Sequence, residues 1–391
     1  MKTALRRSTG FGTQRGRRYG MRAAALAAAG ALALASCSGD ASSDEPTADN
    51  PTNSGDTSNE DDGNGEGNGN GAEEELEVMD ASVLTFLPMD TLDWTPEMVA
   101  YSGGFFEEHG LNVEMQMIPG GAAAVQAIIG DAVDMTRVST LDILPPLESG
   151  QPIMAVGMMA YQTNLRMASA ATNPLEEAAD LEGEIIGMGS VGGTSENMLN
   201  MALDANGVDR DLVERQAVPV SGSTFELVRR GDLSGYIVSH AVGLELEAQH
   251  DDAIISGVGL TDVPDRMAWV VHEDSLEDPE GQERTRRLLA ALHDATEFII
   301  NDEENDFANV LQILRDSGDY NFPSLMDDEL AASIISAEID QTWTSSDESL
   351  PILGNDMDGW VAAYELYAEK GFVEGDQDPL EWITSDYLPS N

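Results

Sequence analysis

Cysteine is nearly absent from this sequence: Cys37 is the only one in 391 residues. A single cysteine excludes an internal disulfide, and it excludes a zinc site built from a set of cysteines. The folded part must therefore rely on its own hydrophobic core, which a chain of this length is long enough to build.

Basic residues are also scarce. The chain has 19 Lys and Arg against 72 Asp and Glu, which gives a formal net charge of −53. Seven of the bases precede residue 37 and 14 of the acids lie in residues 37–80, which leaves 58 acids against 12 bases in residues 81–391. This balance argues against nucleic-acid binding, because no basic patch can form. It indicates a saline habitat, where salt screens the self-repulsion of an acidic surface.

Apolar runs long enough to span a bilayer are missing as well. The stretch 23–35, mostly Ala and Leu, follows a leader that has seven basic residues and no acid. At ~13 residues it has the length of a signal-peptide apolar region. It ends in Leu34-Ala35-Ser36-Cys37, which resembles the bacterial lipobox. We therefore expect residues 1–36 to be a signal peptide, and Cys37 to be the lipidated N-terminus that anchors an exported protein to the outer face of the cell membrane.

The segment that follows Cys37 has almost no apolar side chains. Residues 38–80 are rich in Gly, Asn, Ser, Asp and Glu. Such a composition cannot bury enough apolar surface to offset the chain entropy lost on folding, and its like charges favour an extended chain. We expect a disordered acidic linker between the lipid anchor and the folded part.

From Ser82 onward, strand-like and helix-like segments alternate, which predicts α/β units with parallel strands. The predicted strands are 83–88, 112–118, 134–138, 152–158, 184–188, 214–220, 235–239, 253–257 and 267–272. Helical periodicity fills most of the intervals, including 96–106, and continues through 279–301, 307–315, 327–339, 356–370 and 380–388. Two α/β units with a helical C-terminal region indicate two lobes around a cleft. Ligands of open α/β sheets bind beyond the carboxyl ends of the strands.

A glycine-rich turn opens the second unit. Gly187-x-Gly189-x-x-Gly192 follows an apolar run and precedes a helical segment, which matches the dinucleotide fingerprint. The same turn suits any anion or polar ligand edge, because backbone N–H groups point away from a helix N-terminus. Two points favour a small solute: the predicted signal peptide implies export, and the acid expected about 20 residues on falls within 204–209, at the end of the helix itself. We expect no cofactor and no metal.

Several segments, taken in order, resemble one known family. They are GGFFEEHGLNVE (103–114), AIIGDAVDM (127–135), ESGQPIMAVG (148–157) and FELVRRGDLSGYIV (225–238). Together they resemble the solute-binding proteins of ABC importers with the type 2 periplasmic-binding fold, in the branch that serves nitrate, sulfonates, taurine and the pyrimidine precursor of thiamine. The Asn and His that pyrimidine-binding members carry after the Asp-Trp pair are absent from residues 94–104.

The resemblance implies a lobe 1 over 81–171, a lobe 2 over 172–266 and a return to lobe 1 over 267–391, with hinges near 168–172 and 263–267. It implies a monomer that delivers a small solute to an ABC permease with a cytoplasmic ATPase. It also implies that loops after strands contact the ligand. In lobe 1 these loops carry Asp93, Trp94, Tyr101, Gly121, Ser139, Thr140 and Tyr161.

In lobe 2 the corresponding candidates are Ser190, Gly192, Gly193, Thr194, Ser195, Ser221 and His240, with Trp269 on the returning strand. Hydroxyls and backbone N–H groups of the glycine turn suit the polar end of a solute. His240 could donate in a pH-sensitive way, and Trp94 could stack on a ring or cover an alkyl chain. The arginines Arg137 and Arg166 could pair with a ligand anion or with the protein's own acids.

Enzymatic motifs are missing from the sequence. It has no Gly-x-Ser-x-Gly elbow, no His-Glu-x-x-His pair and no metal-spaced set of Cys and His. Carboxylate pairs abound, but a chain with this many acids produces them by chance. We therefore predict a binding protein. The alternative that remains open is an exported enzyme that uses acidic residues in the same cleft.

Overall fold

The computed structural model describes residues 77–189, 191–347 and 349–390. The predicted signal peptide, Cys37, most of the acidic linker and Ser190 lie outside the described residues. Among the helices of the described ranges, none combines the length and the apolar character that crossing a membrane requires.

The described strands form two five-stranded sheets, one in each lobe. In chain order they are β1 (Met79–Thr85), β2 (Leu111–Met117), β3 (Met135–Ser139), β4 (Ile153–Ala160), β5 (Leu165–Ala170), β6 (Ile185–Met188), β7 (Glu214–Ala217), β8 (Gly235–Ser239), β9 (Ala253–Ser256) and β10 (Met267–His272). The sheet of lobe 1 has the order β2-β1-β3-β10-β4, and the sheet of lobe 2 has the order β7-β6-β8-β5-β9. In each sheet the strand that enters from the other lobe, β10 or β5, runs antiparallel to its two neighbours. The predicted two-lobed α/β fold is confirmed.

Helices cover both sheets. In chain order they are α1 (Thr95–Ser102), α2 (Phe105–Glu108), α3 (Gly121–Ile129), α4 (Thr140–Glu148), α5 (Thr194–Ala205), α6 (Phe225–Arg230), α7 (His240–Gln249), α8 (Pro279–Asn301), α9 (Ala308–Ser317), α10 (Asp328–Glu338) and α11 (Met357–Glu369). The long helix α8 packs against α1 and α2 on lobe 1. The helix α7 belongs to lobe 2 but packs against α10 of lobe 1.

Matching serines end the third strand of each sheet and start the following helix. Ser139 ends β3, and its hydroxyl accepts a hydrogen bond from Leu141 N in the first turn of α4. Ser239 ends β8 in the same way and accepts from Val242 N of α7. A serine at this position satisfies a backbone donor that the helix itself leaves unpaired. These two strand ends therefore face the cleft from opposite lobes.

The sheets place the first crossover earlier than the sequence predicts. β4 ends at Ala160 in lobe 1 and β5 begins at Leu165 in lobe 2, so residues 161–164 cross between the lobes. The predicted hinge at 168–172 overlaps the end of β5, which is paired on both sides, with β8 and β9 of lobe 2. The second crossover spans residues 257–266 and contains most of the predicted hinge at 263–267.

Two predicted helices are shorter in the structure. The segment 96–106 divides into α1 and α2 because Gly104 takes a left-handed conformation with φ of 84°. The segment 380–388 forms only a short 3-10 helix, Pro379–Trp382, because Ile383 leaves it to pair with Ala155 of β4. The prediction of a helix over 380–388 is wrong.

Candidate functional site

Hydrogen bonds on two sides of the cleft join the lobes, and in both a hydroxyl of lobe 2 donates to a carboxylate of lobe 1. Ser239 Oγ donates to Asp93 Oδ2 at 2.7 Å. Thr194 Oγ1 donates to Asp142 Oδ2 at 2.6 Å. The lobes are therefore closed on each other, and these four side chains mark the cleft between them.

Asp93 lies in the short 3-10 helix Leu92–Trp94 that follows the first strand of lobe 1. The side chain is buried, and Thr91 Oγ1 donates a second hydrogen bond of 2.7 Å to Oδ2. The other oxygen, Oδ1, is buried without a hydrogen-bond partner in the described part of the chain. Burial, and then the charge of Glu338, raise the pKa of Asp93 to about 6, against the lowering effect of the two hydroxyls and Arg137. Asp93 is thus an acceptor with one unused oxygen.

Asp142 occupies the matching position on the other side of the cleft. Its carboxylate lies against Gly121, the first residue of α3, so closely that a Cβ on Gly121 would meet Oδ2 at 1.9 Å. Burial raises the pKa of Asp142 to about 6, while the hydroxyl of Thr194 opposes this shift. A carboxylate at a helix N-terminus interacts favourably with the helix dipole. The requirement for glycine at position 121 therefore comes from Asp142.

Glu338 is a further buried carboxylate between the lobes. It ends α10 and is 0% exposed, and neither of its carboxylate oxygens has a hydrogen-bond partner among the described residues. His240 Nδ1 of lobe 2 lies 3.4 Å from Glu338 Oε1, and the charge of Glu338 acts on the pKa of both Arg166 and Asp93. Glu338 is thus the point at which α10 meets lobe 2.

The arginines Arg137 and Arg166 are both committed to the protein itself. Arg137 Nε lies 3.1 Å from Oε1 of the fully buried Glu97, and its guanidinium covers the ring of Trp94 at 4.3 Å. Arg166 donates to the backbone carbonyls of Thr163 and Leu165 at 3.2 and 2.9 Å. The protein's own acceptors thus already engage both guanidinium groups.

Trp94 is almost completely buried. It is 3% exposed, with Arg137 over its ring and Phe86 at its edge, 5.2 Å between ring centroids. The indole therefore positions Arg137 in this closed state.

Ser139 and Thr140 turn their hydroxyls towards the second crossover. Both donate to Asp265 Oδ1, at 2.7 and 2.9 Å, and Thr140 Oγ1 also lies 3.0 Å from Tyr367 Oη. Burial raises the pKa of Asp265. These contacts fix the crossover to β3 and α4, so in this conformation the two hydroxyls have protein partners.

Other predicted site residues lie in various surroundings. Tyr161 is buried and donates to the carbonyl of Gly354 at 2.8 Å. Tyr101 is 37% exposed near the C-terminal end of α1, and Trp269 is fully buried in the core of lobe 1. Ser221 Oγ lies 2.9 Å from Ser223 Oγ on the rim of lobe 2. The structure does not bring these four residues together with Asp93.

The glycine turn uses its donors internally. The N–H of Gly192, where φ is 85°, donates to Glu196 Oε2 in the first turn of α5. Gly193 precedes α5, whose first two residues, Thr194 and Ser195, are half-buried. Gly187 packs inside the sheet, where a Cβ would meet Tyr236 Cβ at 2.8 Å. Of the predicted residues of this turn, Thr194 is the one whose side chain is seen to cross the cleft.

Sequence reasoning misses four acids of this region: Asp142, Glu338, Glu97 and Asp265. Each is one acid among the 58 of residues 81–391, so composition cannot single it out. The position of Asp142, three residues after Ser139, carries a weak signal, because the first turn of a helix after a strand faces the cleft.

Two further features lie beside or outside the cleft. A cavity of about 210 Å³ is lined by residues of lobe 2, among them Arg166, His240, Glu247 and Ser256. On the outer helix α8, the side chains of His293, Asp294 and Glu297 converge closely enough to hold a metal ion. His109 Nε2 contacts Asp294 Oδ2 there at 2.8 Å.

Comparison with known proteins matches the chain to one family. The family model described as NMT1/THI5 like matches residues 91–305. A protein of Brucella abortus (strain 2308), itself named only as a candidate binding protein, is 22% identical over 337 residues, which cover 78% of this chain and 95% of that protein.

Solved structures of binding proteins share the fold. The periplasmic aliphatic sulphonate binding protein SsuA from Escherichia coli superposes with a TM-score of 0.57 at 14% identity, over 79% of this chain and 97% of that one. The periplasmic nitrate-binding protein NrtA from Synechocystis PCC 6803 gives 0.55 at 16% identity, over 80% and 87%. At these identities the likeness establishes the fold and leaves the ligand open.

Proposed function

The chain belongs to the NMT1/THI5-like family, and from this premise we propose that it is the extracytoplasmic solute-binding lipoprotein of an ABC importer. Its relatives are periplasmic solute-binding proteins of such importers. The proposed ligand class is a small nitrogen- or sulfur-containing organic or anionic solute. The protein captures the solute by closing two lobes and delivers it to a permease with a cytoplasmic ATPase.

The observation that carries this proposal is the pair of hydrogen bonds across the cleft. Ser239 to Asp93 and Thr194 to Asp142 connect residues from different lobes, and both bonds form only when the lobes close. The crossovers 161–164 and 257–266 are short connections of the kind that absorb a hinge rotation. The closed conformation is thus defined by specific contacts, and a bound solute can shift the population towards it.

Thermal unfolding in high salt tests the proposal. A ligand that binds only the folded chain raises the unfolding midpoint according to its concentration and affinity. We expect at least one member of a panel of nitrate, taurine, alkanesulfonates and aminopyrimidines to raise it. A panel that leaves the midpoint unchanged would count against a receptor for this ligand class.

The lipid anchor is tested separately, because Cys37 lies outside the described residues. We expect Cys37→Ser to release the protein from the membrane fraction into the medium while solute binding is retained. The matched control is Ser38→Ala, which leaves the proposed lipidation site intact. Unchanged membrane association of the Cys37→Ser chain would contradict the lipoprotein assignment.

An exported enzyme is the second candidate, and one observation favours it: Asp93 and Asp142 have pKa values of about 6, which suits general acid–base work. The two candidates differ in one measurement. Turnover of a bound solute that Asp93→Asn abolishes would identify an enzyme, whereas a solute that is recovered unchanged after binding identifies a receptor. The family and the fold relatives are binding proteins.

A further inference from the structure

Two buried carboxylates in the closed cleft have acceptor oxygens that nothing in the described protein uses. Both oxygens of Glu338 and Oδ1 of Asp93 have no hydrogen-bond partner there, and these side chains are 0% and 7% exposed. The 3.4 Å between Glu338 Oε1 and His240 Nδ1 is longer than a normal N–H···O bond. Buried acceptors of this kind destabilise the fold when they are left unpaired, and more so when they are charged. A ligand that supplies hydrogen-bond donors would therefore stabilise the closed cleft.

The places where an anion would bind are already filled by the protein's own carboxylates. Asp142 lies against the N-terminus of α3, and Glu196 accepts the N–H of Gly192 in the glycine turn. Helix N-termini and glycine turns are the usual backbone sites for phosphate, sulfonate or carboxylate groups. An anionic solute would have to displace an acid from each of them.

The arginines near Asp93 offer an anion no substitute. Arg137 Nε forms an ion pair with Glu97 Oε1 at 3.1 Å. Arg166 donates hydrogen bonds to backbone carbonyls and, at 3.5 Å, to Gln341 Oε1. A solute near Asp93 would be close to a second carboxylate, Glu338, while Arg137, the cation that also acts on Asp93, already balances the buried Glu97. The carboxylates would repel an anionic solute and attract a cationic one.

We propose that the cleft receives a small organic base, such as an amine or amidine, whose N–H groups donate to Asp93 and Glu338. Glu338 is then a specificity-determining residue for the solute, and nitrate and sulfonates are excluded. This inference rests on the proposed function and narrows its ligand class.

The same contacts make closure depend on the solute. Without a ligand, closing the lobes buries the unused oxygens of Asp93 and Glu338 away from water, which disfavours the closed form. A base supplies the missing donors and shifts the population towards closure. In the closed conformation these oxygens are sealed from solvent, so the solute enters while the lobes are open.

Charge-inverted pairs of similar shape test the inference on the full chain in high salt. The probes are acetamidinium against acetate and n-butylammonium against n-butanesulfonate, with the thermal midpoint and the dissociation constant as readouts. We expect the bases to raise the midpoint and the anions to leave it unchanged. A shift from the anions alone would overturn the inference and leave the proposed function standing, whereas no shift from any probe would count against both.

Two variants on α10 separate recognition from stability. We expect Glu338→Gln to weaken binding of the bases by about 10- to 100-fold, the value of one charge-assisted hydrogen bond. The ligand-free protein should be no less stable, because a buried uncompensated charge is removed. Glu329→Gln, an exposed acid on the same helix, should leave both readouts unchanged. Binding by Glu338→Gln as tight as by the parent chain would refute the assignment of Glu338.

Discussion

Ser239 Oγ of lobe 2 lies 2.7 Å from Asp93 Oδ2 of lobe 1, and this one bond joins two helix starts. Ser239 ends β8 and caps α7, while Asp93 lies just before the start of α1. The same hydroxyl thus serves the local helix and the interface between the lobes. Thr194 and Asp142 repeat the relationship on the other side of the cleft.

Removing the Thr194 hydroxyl tests whether these bonds hold the lobes together. Thr194→Val keeps the shape and leaves Asp142 without its donor, so we expect the closed form to lose about 1–3 kcal/mol and the solute affinity to fall about tenfold. Thr194→Ser restores the hydroxyl and should bind normally. Titration calorimetry measures the difference, and equal affinities for the valine and serine variants would show that the bond does not contribute to closure.

The raised pKa values of Asp93 and Asp142 predict a pH dependence of stability. Both pKa values lie at about 6, above the ordinary 3.8, so the folded chain binds extra protons between these values. Stability from these groups is complete below about pH 4 and is lost as the pH rises through about 6, by up to about 3 kcal/mol for each carboxylate. The charged groups that act on Asp93 are Glu338 on α10 and Arg137 on β3, and His240 on α7 lies against Glu338.

Asp93→Asn isolates this effect from the many other acids of the chain. We expect the asparagine variant to lose less stability than the parent chain between about pH 4 and about pH 6.5. Urea unfolding at constant high salt gives the two curves. Parallel curves for the variant and the parent would contradict the raised pKa of Asp93.

The buried pair of Arg137 and Glu97 is expected to contribute strongly to the stability of lobe 1. Arg137→Leu leaves Glu97 buried and uncompensated, which should destabilise lobe 1 by about 3–5 kcal/mol. The exposed Arg286 pairs with Glu283 on α8, and Arg286→Leu should cost at most about 1 kcal/mol. Denaturant unfolding of both variants measures the loss of stability. A similar loss for the two substitutions would disprove the special role of Arg137.

Two glycines of the turn should respond differently to alanine. A Cβ at Gly187 would meet Val218 Cγ2 at 2.8 Å, whereas a Cβ at Gly189 would meet only Val220, at 3.4 Å. We expect Gly187→Ala to destabilise lobe 2 by about 1–3 kcal/mol through overpacking and Gly189→Ala to change stability by less than about 0.5 kcal/mol. Thermal unfolding distinguishes them, and a harmless Gly187→Ala would remove the packing explanation for this glycine.

The fold can be predicted from the sequence because most of its strands are short apolar runs between turn residues. The predicted strands 235–239 and 267–272 agree with β8 and β10. β5 has the sequence LRMASA, which mixes an arginine and a serine with apolar residues, so its periodicity is weak and the predicted first hinge lies too far along the chain. The helix predicted over 380–388 does not form, because the tertiary pairing of Ile383 overrides local propensity.

The site can be predicted only in part. Strand ends identify Asp93, Thr194 and His240, because the carboxyl ends of parallel strands meet at the cleft. The positions of Asp142 and Glu338 in the cleft depend on how helices from different lobes pack together. No local sequence pattern encodes this packing. The composition also hides them, since an acid at almost any exposed position is ordinary in this chain.

Native mass spectrometry of the protein purified from its own cells tests the central claim most directly. The expected result is one small basic solute for each chain, present in the parent protein and absent from Asp93→Asn. A parent chain that carries no solute in repeated preparations, or a solute that Asp93→Asn retains in full, would contradict a receptor that closes Asp93 and its partners on its ligand.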